Sequence, residues 1–346
     1  MKILAQIYLL TSLFFSSLLA ENKLSLIMTG DALLHEKVYK DAEFKDKGSK
    51  TGYSYDFSKA LSRISPIISN YDLAFYNQES ILGGKEIGLS TYPNFNSPQE
   101  FGEAMVELGF NLVSLANNHT LDRGERAVLN SLKFWQGKKG VLTSGSYASL
   151  KEANEVRIYE KNGIKYALLA YTYGVNGNPI PKPYLVNLID KNKIAADIAK
   201  FRLKVDLLLV SLHWGEEYKF EPSPAQRELA AFLASKGVDI IIGSHSHYVG
   251  PIEFIDDTLV IYSLGNFISS QRGLYRRVGM LVSLDIHKNS KKIQLNNLQT
   301  RLIYTYYDEN FKNFTVYPFE ELNEELLPNF KAVERELKGI INTPRR

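Results

Sequence analysis

From Leu24 onward, short apolar runs rich in branched and aromatic side chains alternate with stretches of helical periodicity. No other feature of the chain narrows its fold as far. Leu24 to Met28, Leu73 to Tyr76, Leu112 to Leu115, Asp206 to Leu212 and Val238 to Ile242 read as strands, the first of them buried. Between them, Asp56 to Ile68 and Glu125 to Lys138 have helical spacing. Ser97-Pro98-Gln99-Glu100 and Ser223-Pro224-Ala225-Gln226 are capped helix starts with proline at the first helical position, and Gly109 and Gly237 lie just past the ends of those helices. Asn162-Gly163 signals a hairpin, and Val278 to Ile286 with Lys292 to Tyr304 form a late β pair. Strands alternating with helices specify an α/β fold layered about a central sheet. Gly174 to Pro183 is too short for a domain linker and reads as a loop. One domain is therefore expected from residue 21 to 303, with residues 304–346, rich in Tyr, Phe and Glu, packed on it as a C-terminal appendage.

Composition matters for what it excludes. The chain has 346 residues, 45% hydrophobic and 12% aromatic, which is ample for a core and incompatible with a disordered chain. A formal charge of +3 lacks the basic excess of a nucleic-acid binder, so no nucleic-acid partner is expected. Zero cysteine excludes disulfides, thiolate nucleophiles and iron–sulfur ligation, so any metal must be held by His, Asp, Glu or Asn. At the N-terminus, Met1-Lys2 precedes an apolar run from Ile3 to Ala20 and then the polar Glu21-Asn22-Lys23. This pattern predicts a signal peptide over residues 1–20 and export to the periplasm or cell surface. An uncleaved N-terminal anchor is the alternative.

The six histidines are not scattered. In open α/β sheets ligands bind beyond the carboxyl ends of the strands, and there the polar residues gather. The first strand runs into Gly30-Asp31 with His35 soon after, and the second into Asn77-Gln78-Glu79. The third runs into Asn117-Asn118-His119 with Asp122 behind it, the fourth into His213, and the fifth into His245-Ser246-His247. Only His287 lies elsewhere. Imidazole suits zinc or iron, and carboxylate and amide oxygens suit harder cations such as manganese. A carboxylate such as Glu79 can join two ions, and an unliganded His119 can donate a proton to a leaving group.

The ordered series Gly30-Asp31, Asn77-x-Glu79, Ala116-Asn117-Asn118-His119 with Asp122-x-Gly124, His213-Trp214-Gly215 and Gly243-x-His245-x-His247, followed by Tyr262-Ser263-Leu264-Gly265-Asn266-Phe267, resembles the bacterial CapA family. This is the poly-γ-glutamate or capsule synthesis protein family of the calcineurin-like metallophosphatase superfamily, and the resemblance spans about residues 24 to 285. It implies a four-layer α-β-β-α sandwich carrying a metal-dependent, phosphoesterase-like hydrolase site. Asp31, Glu79, Asn118, His213, His245 and His247 would then be metal ligands for one or two divalent ions, with manganese, zinc and iron equally compatible. His119 would be the catalytic acid or substrate contact, with Asp122 beside it. Exported or membrane-anchored relatives imply a partner in envelope or capsule machinery.

The chain departs from the superfamily pattern. Metallophosphatases generally begin Asp-x-His, whereas Asp31-Ala32-Leu33 lacks that histidine, and His35 is the candidate to substitute. Asn77 and Asn117 are further candidate metal or substrate contacts. Arg272, Arg276 and Arg277 are expected to line the cleft and attract an anionic substrate. Two functions follow: a metal-dependent hydrolase acting on an anionic polymer or its ester, or a non-catalytic protein that binds such a polymer through the metal during capsule assembly or export. A serine hydrolase needs Gly-x-Ser-x-Gly, but Ser244 and Ser246 alternate with the histidines of Gly243-Ser244-His245-Ser246-His247.

Overall fold

The apolar runs alternate side chains between two cores, because both faces of each sheet are covered. The protein is described here by a computed structural model covering residues 22–289 and 292–342. The expected signal peptide over residues 1–20 lies outside the described residues. Along the chain, strands β1 (Lys23–Leu33), β2 (Glu43–Lys45), β3 (Tyr53–Tyr55), β4 (Leu73–Asn77), β5 (Leu112–Ser114) and β6 (Leu142–Ser144) come first. β7 (Tyr159–Lys161), β8 (Ile164–Thr172), β9 (Leu207–His213), β10 (Ile240–Ser244), β11 (Ile252–Ile255) and β12 (Thr258–Ile261) follow, then β13 (Asn266–Ser269), β14 (Val278–Lys288), β15 (Ile293–Tyr306) and β16 (Thr315–Pro318).

They form two principal sheets, not the one central sheet that alternation alone predicts. The first has the order β16-β15-β14-β1-β4-β5-β6, with β13 also on β1, and the second has the order β11-β12-β10-β9-β8-β7. β2 and β3 make a separate hairpin. Alternation reveals that strands are separated by helices; it does not reveal which strands share hydrogen bonds. Leu24, Leu26 and Met28 of β1 and Leu73 and Phe75 of β4 face a core between the sheets, opposite Leu207 and Leu209 of β9 and Ile240 and Ile242 of β10. Ile27, Ala74, Tyr76 and Val113 point the other way, onto the helices Gln99–Glu107 and Gly124–Gln136. Leu208, Val210 and Ile241 do the same against the helices Lys191–Phe201 and Pro224–Ser235. The result is the four-layer α-β-β-α sandwich. Among the described residues no helix is long and apolar enough to cross a membrane.

Local sequence signals hold at some positions and are overridden at others, for physical reasons. Asn162 and Gly163 both take positive φ and close the β7–β8 hairpin as expected. Ser223 forms a full capping box with Gln226. The similar Ser97 does not cap its helix, which begins one residue later with Pro98 at the N-cap, and its hydroxyl instead donates to Ser80 Oγ at 2.9 Å. The single helix expected over 56–68 is instead two short turns, Ser58–Leu61 and Ser65–Ile68. Pro66 has no N–H to continue the ladder and restricts the residue before it. The expected boundary at residue 304 falls inside β15, and β16 extends the same sheet. The tail's last helix, Phe330–Ile341, adds Val333, Leu337 and Ile341 to the core between the sheets.

One close approach sets the end of β1. A Cβ placed on Gly30 would sit 1.8 Å from the Gly265 carbonyl oxygen, and that same carbonyl accepts the Asp31 N–H at 2.9 Å. Gly30→Ala must push β1 and the Gly265 segment apart. We expect it to lower stability by about 2 kcal/mol or more, measured by chemical denaturation; unchanged stability would refute the close approach.

Candidate metal centre

β1 delivers Asp31 to the carboxyl end of the first sheet with its side chain fully buried. Its Oδ1 accepts from Asn77 Nδ2 at 2.8 Å and its Oδ2 from the His245 backbone N–H at 3.1 Å. Two residues beyond β4, Glu79 enters the same space, also fully buried. The second sheet answers from β9 and β10. His213 Nε2 lies 3.5 Å and His247 Nε2 3.8 Å from Glu79 Oε1, and His247 Nδ1 lies 3.5 Å from Asp31 Oδ2. His245 stands beside His213, ring centroids 4.7 Å apart.

The turn after β10 is strained where it presents these rings. His245 has φ +96° and His247 φ +57°, both uncommon for a residue with a side chain. Ser246 braces the turn by donating to the Tyr248 carbonyl at 2.8 Å and bonding Ser263 Oγ at 3.0 Å. Ser244 Oγ lies 2.9 Å from His213 Nδ1, and Asn266 Oδ1 2.9 Å from His247 Nδ1. Asn266 spends its own amide group on Gln271 Oε1 and the Arg276 carbonyl, so its oxygen is the atom facing His247. Such outer contacts hold ring orientation and tautomer, leaving the other nitrogen free to ligate.

Ligand atoms converge in two triads that share one residue: Glu79, His213 and His245 in one, Asp31, Glu79 and His247 in the other, each within 4.8 Å. The set fits divalent cations on a test independent of spacing. Both oxygens of Glu79, Nδ1 of His245 and Oδ1 of Asn77 are buried without any hydrogen-bond partner, an arrangement that costs free energy unless something else meets them. Burial, and then the neighbouring Asp31 charge, lift Glu79 from its ordinary 4.5 to about 8. Burial lowers His213 to about 3. Burial, followed by the His213 and His247 rings, lowers His245 to about 2, so both are neutral imidazoles fit to ligate. Burial acts to lower His247 as well, but the Glu79 and Asp31 carboxylates outweigh it and raise it to about 9. Asp31 goes below its usual range, because the His247 and His213 interactions overcome the effect of burial.

The remaining expected site residues fall into groups. Asn118 joins the cluster, its Oδ1 2.9 Å from His213 Nε2. His119 sits at the edge, with Nδ1 2.7 Å from Asp122 Oδ2; that same oxygen accepts the Phe95 N–H at 2.7 Å. Asn77 supports Asp31 instead of standing free. Asn117 differs from its expected role: its amide donates to the Gln78 carbonyl at 2.8 Å and its oxygen accepts the His119 N–H at 3.1 Å, so both ends shape the loop. His35 belongs to neither triad; its Nδ1 contacts the Leu33 carbonyl at 3.2 Å and its ring packs edge-on against Phe95. It stands just before the helix Glu36–Ala42, one aromatic ring removed from His119, because Phe95 packs edge-on against both. Arg277 bonds the carbonyls of Thr305 and Tyr307, Arg272 lies over Phe311, and Arg276 lies over Tyr218 next to His247.

Several residues at the site carry no legible sequence signal. The loop read from Gly174 to Pro183 sends Asn176 to within 3.5 Å of His119 Nδ1 and Asn178 to within 3.3 Å of Asp122 Oδ1. Tyr173 covers His245, ring centroids 4.5 Å apart, and Tyr218 flanks His247 at 6.0 Å. The position of Tyr173, directly after a strand, was the one available clue.

Comparison with known proteins bears on the family and the fold. The family model described as bacterial capsule synthesis protein PGA_cap matches residues 25–271. The PGA biosynthesis protein CapA of Bacillus subtilis (strain 168) is 29% identical over 278 residues, covering 78% of this chain and 70% of that protein. The capsule biosynthesis protein CapA of Bacillus anthracis is 27% identical over 281 residues, covering 78% of this chain and 66% of that protein. The chain thus spans about two thirds of the length of these relatives. Among solved structures, a candidate 5′-nucleotidase of Staphylococcus aureus in complex with α-ketoglutarate aligns with a TM-score of 0.50 at 16% identity, over 91% of this chain and 58% of that one. That is a likeness of fold.

The raised Glu79 sets a pH dependence with a definite sign. In metal-free protein a carboxyl with a raised folded pKa contributes stability below its unfolded value, and that contribution is lost as pH climbs from 4.5 to about 8. Glu79→Gln removes the buried charge. Above pH 8 the metal-free variant should melt about 2–6 °C higher than wild type, with the gap closing toward pH 5. Added Mn2+ or Zn2+ should raise the melting temperature of wild type alone. Scanning calorimetry after chelation reads both effects; a variant that melts lower at pH 8 and still responds to metal contradicts the assignment.

Proposed function

The chain belongs to the bacterial capsule synthesis protein family, and from that premise we propose that it acts in poly-γ-glutamate-type capsule or cell-surface polymer metabolism through a metal-dependent, phosphoesterase-like hydrolase site. The observation that carries the reading is Glu79, buried with both oxygens unpartnered where two ligand triads meet. His213 and His245 would hold one side, Asp31 and His247 the other, with Asn118 beside His213. Divalent cations bound there would polarise a phosphoryl or carbonyl oxygen as Lewis acids. The apolar run Ile3 to Ala20 supports a site of action outside the cytoplasm, where an anionic polymer or its ester is the substrate class and envelope machinery the partner.

The protein's own residues supply positioning and a proton. Asp122 Oδ2 accepts from both the Phe95 N–H and His119 Nδ1, which fixes the imidazole plane and its tautomer. A proton passed to a leaving oxygen would then come from His119 Nε2 of the imidazolium form, which the Asp122 carboxylate supports from the Nδ1 side. Asp122 acts through His119 and is a positioning residue. A second reading, metal-dependent polymer binding without turnover, draws on the first motif, where Leu33 replaces a histidine and His35 stays outside both triads.

The test uses purified protein assayed for bound Mn, Zn and Fe, for hydrolysis of bis(p-nitrophenyl) phosphate, and for shortening of poly-γ-glutamate. Wild type should retain metal in stoichiometric amount, and His245→Ala should lose that metal together with at least about a hundredfold of activity. Asp122→Asn should keep its metal and lose roughly ten- to a hundredfold of turnover. Wild type that takes up no metal, or hydrolysis unchanged in His245→Ala, sinks the hydrolase reading; metal-dependent polymer binding with no turnover establishes the second one.

A further inference from the structure

We propose that Arg276 alone, of the three arginines after β13, anchors a carboxylate of the polymer substrate beside the metal centre. The proposal rests on the function proposed above and adds the group that reads the substrate. The three cations differ in how they are occupied. Arg277 is committed to structure: Nε donates to the Thr305 carbonyl at 2.9 Å and Nη2 to the Tyr307 carbonyl at 3.3 Å, with the guanidinium 4.0 Å from the Tyr307 ring. Arg272 is exposed, over Phe311 at 5.1 Å, and Phe311 stacks on Tyr307. Arg276 is half-buried, its Nε fully enclosed with no hydrogen-bond partner, and among the described residues no carboxylate lies within ion-pair distance of it. A partly desolvated guanidinium without an anion is costly, and its planar fork of donors matches a carboxylate or phosphate.

Two links tie this cation to the ligand cluster. Its guanidinium lies 4.3 Å from the Tyr218 ring, and that ring flanks His247 at 6.0 Å. Its backbone carbonyl accepts from Asn266 Nδ2 at 2.8 Å while Asn266 Oδ1 holds His247 Nδ1. The same Tyr218 side chain also meets an opposing charge. Glu217 hydrogen-bonds the Tyr218 side chain, and its field reaches Glu79, His213 and His247. An anionic group of a bound chain is therefore repelled at Glu217 and drawn to Arg276, which sets the direction in which the chain lies across the metal centre. A chain with one carboxylate per repeat always has such a group to offer, whichever linkage sits at the centre.

The test titrates manganese-loaded full-length protein with a short γ-linked glutamate oligomer and, separately, with inorganic phosphate, by calorimetry. Arg276→Gln should weaken oligomer binding about tenfold or more with unchanged manganese content and melting temperature. Arg276→Lys should recover part of the loss, and Arg272→Ala should stay within about twofold of wild type. A loss confined to inorganic phosphate would overturn the polycarboxylate assignment. Oligomer binding by Arg276→Gln equal to wild type, or an equal loss in Arg272→Ala, would overturn the anchor itself. Arg276-dependent oligomer binding by wild-type protein that holds no manganese would instead remove the metal-dependent function and leave the anchor standing.

Discussion

Two carboxylates, Asp31 and Glu79, are buried together where the two sheets meet, and the design of the molecule turns on keeping them there. Like charges removed from water repel strongly and lose their hydration. Asp31 is compensated by Asn77, the His245 N–H and the nearby imidazoles. Glu79 has no hydrogen bond at all. Such an arrangement persists only if the surrounding structure is stiff enough to refuse relaxation. Three apolar cores supply that stiffness, one between the sheets and one under each helical layer.

The same economy explains the local strain. Left-handed backbone at His245 and His247 aims two rings from a single turn toward opposite sides of Glu79. Ser246, Ser244 and Asn266 are the polar braces that make this affordable. Without them the turn would relax and the rings would lose their tautomers and directions. Around this rigid centre the mouth is built from looser parts: Tyr173, Tyr218, the Asn176–Asn178 loop and the Glu217–Arg276 pair of opposed charges. The centre sets what chemistry is available; the mouth sets which molecule reaches it.

Much of this was readable in the chain, for identifiable reasons. Strand identity is local, because a run such as Leu207 to Leu212 with both faces buried admits little else. The ordered polar residues at strand ends, Asp31, Glu79, Asn118, His213, His245 and His247, were readable because the carboxyl ends of parallel strands must converge. The illegible parts all depend on distant neighbours. Ser97 and Ser223 carry the same helix-start pattern, yet only Ser223 is the N-cap; the first helix starts a residue later, and Ser97 bonds Ser80 of a distant segment. His35 was the candidate to replace the missing first-motif histidine, yet it lies in neither triad, its Nδ1 at the Leu33 carbonyl and its ring against Phe95.

The sequence by itself determined the α/β class, the exclusion of cysteine chemistry, and the series of imidazole and oxygen side chains at the strand ends in chain order; which of them would be ligands was implied only by the family resemblance. These depend on composition and short-range periodicity, which the chain carries in full. Only the tertiary structure decided that the strands divide into two sheets, that Glu79 is shared between two triads, that Asn117 shapes a loop, and that Arg276 differs from Arg272 and Arg277. Each of those depends on which side chains from far-apart segments occupy the same few ångströms. Periodicity says which way a residue faces; it does not say what it faces.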